Sequence, residues 1–131
     1  MNKLTLMTIM LWVAAMIGGC SASLDNNIEG TWSGQDAEGH RITLQFSGDD
    51  LALTQDERTL IGTWSLDTSE EPAQLTLRMH TPAGNIQQVP MIAKMVSFNK
   101  LMLRTGTDLK SRPTTFVSEG AANQLLLKRI N

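Results

Sequence analysis

The residues that could do chemistry are few, and their spacing does not assemble a catalytic centre. His40 and His80 are the only histidines, and each falls at the end of a strand-like run. There is one cysteine, Cys20, and no serine stands in a G-x-S-x-G setting. Acids gather in pairs among turn residues: Asp36 with Glu38, Asp49 with Asp50, Asp56 with Glu57, Glu70 with Glu71. Pairs of that kind read as solvated hairpin tips rather than as the acid and base of a hydrolase. The sharpest chemical option is metal. Met79 adjoins His80, and Met91 and Met95 stand four apart; thioethers and imidazole suit copper. Against this, Met79 ends an apolar alternation, and methionine fills irregular cores well. The expectation is a non-catalytic chain with no metal site and no cofactor, copper on Met79, His80, Met91 and Met95 remaining open.

Cys20 has a different chemistry, set by what precedes it. Lys3 gives a short positive start, and residues 4–17 carry no charge, as in the apolar region of a secretory signal. The run closes in Ile17-Gly18-Gly19-Cys20, which resembles the lipobox of bacterial lipoproteins: an aliphatic residue, two small residues, then cysteine. In that family the thiol receives a diacylglyceryl group, the signal is cut before the cysteine, and the new amino group is acylated. The resemblance implies a bacterial cell-envelope protein held to a membrane by its N-terminal lipid. Ser21, rather than aspartate, follows the cysteine, which within that family points to the outer membrane, facing the periplasm. Two other readings stand beside it. One is an uncut anchor, for which residues 4–19 fall short of the roughly 20 needed to span; the other is ordinary secretion with cleavage after Ser23.

Residues 1–19 are thus expected as a removed signal peptide, 20–27 as lipidated cysteine and tether, and 28–131 as one domain. Loss of residues 1–19 leaves 112 of the 131 residues and, with Lys3 gone, moves the formal charge from −2 to −3. A domain of that size buries an adequate core unaided, and with its single cysteine it has no intramolecular disulfide to rely on. The charge is too near balance for a nucleic-acid binder, and no basic stripe, phosphate loop or aromatic platform argues for one. A monomer is expected.

Beyond Ile28 the hydrophobic pattern has period two. Ile42, Leu44 and Phe46 alternate with Arg41, Thr43 and Gln45; Leu51 and Leu53, then Leu60 to Leu66, then Leu75, Leu77 and Met79 do the same. Turn residues such as Ser47-Gly48-Asp49-Asp50 separate the runs. Asn85 to Met95 is less tidy, and Pro90 within it predicts a bulge or an edge. Leu101 with Leu103, and Leu125 to Ile130, complete about eight strands. Such short alternating runs predict an all-β, antiparallel, up-and-down barrel.

Two stretches repeat: Gly30-Thr31-Trp32-Ser33 ahead of Ile42 to Phe46, and Gly62-Thr63-Trp64-Ser65 ahead of Leu75 to Met79. Two copies are too few for a solenoid and read as equivalent hairpins of one closed sheet. In each, glycine permits a bend at a barrel corner and tryptophan plugs an end. Gly30-Thr31-Trp32 resembles the glycine-x-tryptophan of lipocalin-type barrels. The order of Gly62-Thr63-Trp64-Ser65-Leu66-Asp67, Pro72, Arg112-Pro113-Thr114-Thr115-Phe116 and Leu125 to Arg129 is similar to that in a family of uncharacterised bacterial lipocalin-like domains, over about Ile28 to Ile130. The departure is Thr76, near which that family tends to carry an acidic residue. The resemblance implies a lipocalin-like barrel with Arg129 over Trp32. Trp32, Trp64, Arg112 and Arg129 are expected to close it structurally, Arg112 before Pro113 by capping exposed carbonyls at a turn, with ligand contact the alternative for both arginines.

Two functions are compatible with these residues. One is a lipid-anchored barrel that binds a small apolar molecule or an envelope component. The other is a protein-interaction module, such as an inhibitor or assembly factor. A cavity among inward Leu, Met and Phe side chains favours the first, and a filled interior favours the second.

Overall fold

The computed structural model describes residues 27–117 and 121–130. The lipobox residues Ile17, Gly18, Gly19 and Cys20, and Ser21 after them, lie outside the described residues. Eight strands follow the alternating runs: β1 (Gly30–Gln35), β2 (Arg41–Ser47), β3 (Asp50–Gln55), β4 (Arg58–Asp67), β5 (Ala73–His80), β6 (Ile86–Ser97), β7 (Lys100–Thr105) and β8 (Gln124–Arg129). Each pairs antiparallel with its neighbour in sequence, and β8 returns to β1, which closes the sheet. This is an up-and-down barrel of lipocalin-like size, with no sheet edge left to pair with another chain.

Closure gives each strand an inner and an outer face, and the period-two pattern decides which is which. Along β5, Ala73, Leu75, Leu77 and Met79 are buried while Arg78 and His80 are exposed. One core results, from Trp32, Phe46, Leu51, Leu75, Leu101 and Leu127 with the remaining inward residues packed on them. Pro90 behaves as an edge residue on one side only. It still faces Thr76 of β5, whereas β7 begins its pairing one residue later, at Met91↔Thr105. The bulge of β6 sits instead between Met95 and Ser97, where the strand bends into its turn with β7.

The two repeats are equivalent in topology but not in packing. Gly30 takes φ 124°, a backbone state that costs glycine little and other residues much. Gly62 is needed for space: a Cβ there would run into the Arg78 carbonyl on the facing strand. The tryptophans differ as well. Trp32 is fully buried, whereas Trp64 is half-buried, meets Phe46 edge to face with ring centroids 5.1 Å apart, and has an indole N–H with no partner among the described residues.

At Trp32 the barrel acquires a floor. The indole Nε1 donates to the Ile28 carbonyl at 2.8 Å. Arg129, the register partner of Trp32 on β8, lays its guanidinium 4.2 Å from the Trp32 ring centroid. It also donates through Nη1 to the Glu29 carbonyl at 2.9 Å and through Nη2 to the Asn27 carbonyl. Three successive carbonyls of the entering chain are therefore held by one indole and one guanidinium, and Ile28 is pressed, fully buried, across the end of the barrel. Arg129 suits this because its fork reaches two acceptors and its plane stacks on an aromatic face.

Trp32→Ala should destabilise the domain by about 3–5 kcal/mol as a buried aromatic, and Arg129→Ala by less. Since the two side chains touch, a double-mutant cycle measured by denaturant unfolding should show coupling of roughly 0.5 kcal/mol or more. Trp64 paired with Arg129 should be additive, and coupling confined to that second pair would contradict the floor described above.

Candidate functional site

The eight strands leave the two ends of the barrel unlike. At the floor end are the chain entry, the β2–β3, β4–β5 and β6–β7 turns, and Ile130. At the other end are the β1–β2, β3–β4 and β5–β6 turns and the long β7–β8 connection. The large aromatic side chains, Trp32, Phe46 and Trp64, all lie toward the floor, as their pairing shows: Phe46 faces Gly30 and Leu51, and the Trp64 amide donates to the Asp49 carbonyl of the β2–β3 turn. The inward positions further along are occupied by Leu and Met, which fill less of the lumen. What remains is an open-mouthed cavity of about 390 Å³. Leu44, Leu53, Leu77, Met79, Val89, Met91, Leu103 and Leu125 form its walls, and Asp36, Gln55, Thr105 and Asn123 stand around it as polar groups.

An eight-stranded barrel is wide enough either to be filled by side chains or to hold one small ligand, and here the floor half does the first and the mouth half leaves room for the second. The polar groups at the mouth are largely committed to one another. Asp36 Oδ1 accepts from the amides of Glu38 and His40 at 2.9 and 2.8 Å, and Oδ2 lies 3.3 Å from His40 Nδ1 and from Gln55 Nε2. Partial desolvation would raise its pKa, but the amides of His40 and Glu38 and the His40 ring outweigh it and hold the carboxyl below the ordinary range. The Asn123 side chain donates to the Thr105 carbonyl, and the Thr105 amide to the Asn123 carbonyl at 3.0 Å. These bonds tie the polar groups of the mouth to one another.

The β7–β8 connection is fastened to the barrel at several points. Arg112 Nη1 donates to the carbonyls of Leu75 and Met91, at 3.1 and 2.7 Å, and Nη2 donates to Thr76 Oγ1 at 2.8 Å. Leu75 and Met91 face each other across β5 and β6, so the carbonyls that Arg112 caps belong to the barrel wall and not to a turn. Thr76, where the resembled family tends toward an acid, supplies a neutral acceptor. Arg104 Nη1 donates to the Thr115 carbonyl, and the Gln124 side chain bonds both the amide and the carbonyl of Val117, at 3.0 and 2.8 Å. Under this strap the outward-facing Ile92 is buried, although it stands outside the interior core. At the turn of the strap Leu109 adopts φ 61° and lines the cavity mouth.

The candidate metal donors are not brought together. Met79 and Met91 are buried inside and line the cavity, Met95 is half-buried, and His80 lies exposed on the opposite face of β5. Among the described residues no three of His, Cys, Asp and Glu form a metal-holding group. The acid pairs Asp49 with Asp50 and Asp56 with Glu57 are exposed at hairpins, as are Glu70 and Glu71. The sequence reading missed Asp36, Gln55, Leu109 and Asn123 as mouth residues, because nothing in their spacing says that three turns and a strap converge. Compared with protein-family models, with characterised proteins and with solved structures, the chain matches none.

The strap turn also sets an acid dependence. Asp108 is held below the ordinary carboxylate range first by the Lys110 amide and then by that of Ser111, at 2.9 and 3.0 Å from Oδ1. A carboxylate depressed in the folded state contributes stability above its unfolded pKa and loses it as pH falls through the folded one. Thermal midpoints followed by circular dichroism should therefore drop as pH is lowered from about 5 to 2. Asp108→Ala should make that drop shallower, and an unchanged slope would show that the turn does not depend on the ionised carboxylate.

Proposed function

We propose that this protein is a lipid-anchored lipoprotein of the bacterial cell envelope whose barrel carries a small apolar ligand and does no chemistry on it. The observation that supports the reading is the cavity of about 390 Å³ opening at one end of the barrel, walled by Leu, Met and Val. That volume lies within the range of small-molecule sites, which are concave, mostly apolar and furnished with few polar groups. Burial of apolar surface, at about 25 cal/mol per Å², is the driving force such walls offer. The Asp36 cluster and the Leu109 strap would act on entry rather than on reaction. The anchor rests on the lipobox resemblance at Ile17-Gly18-Gly19-Cys20 and the lipocalin-like assignment on the ordered motifs from Gly30 to Arg129. Ser21 after the cysteine favours the outer membrane, facing the periplasm. The unfilled mouth half favours ligand carriage over an interaction module with a filled interior.

Two measurements test the two halves of the proposal. Radiolabelled palmitate should enter the wild-type chain in bacteria, while Cys20→Ala should lose the label and accumulate as the uncut precursor; label retained in that variant removes the anchor. For the ligand, an apolar fluorescent naphthylamine should bind the protein with a bright, blue-shifted signal. Val89→Trp and Leu125→Trp, which place an indole in the cavity, should weaken that binding at least about tenfold, equivalent to 1.4 kcal/mol. Ile61→Trp, on an exposed position, should leave it unchanged. Equal binding by all three variants would place the probe outside the barrel.

A further inference from the structure

The outer wall of the barrel is electrically lopsided. Strands β6, β7 and β8, with the Phe98–Asn99 turn, contain Lys94, Lys100, Arg104, Lys128 and Arg129 and no aspartate or glutamate. Lys100 and Lys128 are direct register partners on neighbouring strands, and neither takes part in an ion pair among the described residues. Like charges directly opposite on one sheet face are destabilising, so this pair stands unneutralised unless an anion comes from outside. Glu29, the acid nearest the chain entry among the described residues, is turned away: its Oε1 accepts from the Gly48 amide at 2.6 Å.

The same wall exposes apolar side chains. Phe98 is 68% exposed and Ile130 57%. Leu126 is exposed one row above, in the register row of Lys94 and Met102. Phe98 is also tied to the point where the chain enters. Arg129 stacks 5.2 Å from the Phe98 ring centroid while its Nη2 holds the Asn27 carbonyl. The rim with the exposed aromatic and the lysine pair is therefore the rim from which the tether leads back to Cys20. Asn27 is seven residue steps from Cys20, a span of at most about 25 Å when fully extended.

We infer that this rim and wall lie against an anionic lipid surface, with Phe98 and Ile130 among the headgroups and Lys94, Lys100 and Lys128 on lipid phosphates. The inference rests on the anchored reading given under Proposed function and adds an orientation to it. Apolar side chains at the headgroup level and lysines facing anionic lipid are the two terms by which a surface binds a membrane. The tether length limits the domain to that neighbourhood, and the charge of the wall decides which side turns down. The mouth, at the opposite end of the barrel, is then directed away from the bilayer.

The test uses the processed, lipidated full chain in vesicles. Phe98→Cys, and separately Ile130→Cys, are labelled with an environment-sensitive fluorophore, with Ala83→Cys in the β5–β6 turn as the far-end control. In vesicles of phosphatidylethanolamine and phosphatidylglycerol containing brominated lipid, the label at 98 and at 130 should be quenched at least about threefold more than at 83. Phosphatidylcholine alone, high salt, or Lys94→Gln with Lys100→Gln and Lys128→Gln should abolish that difference. Labels at 98 and 130 no more quenched than at 83 overturn the inference. So does a label that is shielded without lipid quenching in proportion to protein density, since a second copy of the chain then covers the wall. The anchor is read separately, by the mass of the Cys20 peptide. If that peptide carries no acyl chain, the anchored reading fails alone, and the docking is read from flotation with the same anionic vesicles, where binding indifferent to the three lysine substitutions overturns it.

Discussion

Everything distinctive about this barrel depends on how one end is closed. The carbonyls of Asn27, Ile28 and Glu29 accept, in order, from Arg129, Trp32 and Arg129. Indole and guanidinium belong to the first and last strands, so the contact that seals the floor is also the contact that closes the sheet. The two strands share only two register pairs, Trp32↔Arg129 and Ser33↔Lys128, far fewer than any other neighbours in the barrel. Backbone pairing alone would hold this seam weakly. The stacked guanidinium adds roughly 0.5–2 kcal/mol depending on desolvation and ties the Asn27 and Glu29 carbonyls of the entering chain to the last strand.

Sealing the floor with aromatics makes the two halves of the lumen different. Trp32, Phe46 and Trp64 consume the space near the chain entry, while Leu and Met further up leave a cavity. A barrel of this width has no spare radius, so side-chain volume at each level decides between core and pocket. The mouth is then shaped by connections rather than by strands. Asp36 organises the β1–β2 turn and reaches Gln55 across to β3. The β7–β8 strap, pinned by Arg112 and Arg104 to the wall, brings Leu109 to the opening. The same pinning buries Ile92 on the outer face, which explains why an outward strand position is apolar.

The wall formed by β6, β7 and β8 is the counterpart to this internal polarity. Acids cluster in turns and strands of the first part of the domain, whereas the closing strands are cationic and carry exposed Phe98, Leu126 and Ile130. Because Phe98 shares Arg129 with the floor, the seal and the exposed surface are built from one side chain. The entering chain and the Trp32 plug share one end of the barrel, and the cavity opens at the other.

Strand number and face were legible in the sequence because alternation is local: Leu75, Leu77 and Met79 against Thr76, Arg78 and His80 allow only one side to be buried. The pairing of Trp32 with a basic residue near the end was legible too, through the resemblance to lipocalin-type barrels. What alternation cannot carry is distance across the lumen. That Gly62 is demanded by the Arg78 carbonyl while Gly30 is demanded by its φ, and that Arg112 finds the carbonyls of two strands more than twenty residues away, were decided by closure of the sheet. The same holds for the cavity. Its volume is the small difference between the circumference set by eight strands and the bulk of the inward side chains at each level, and only the tertiary structure brings those two quantities together.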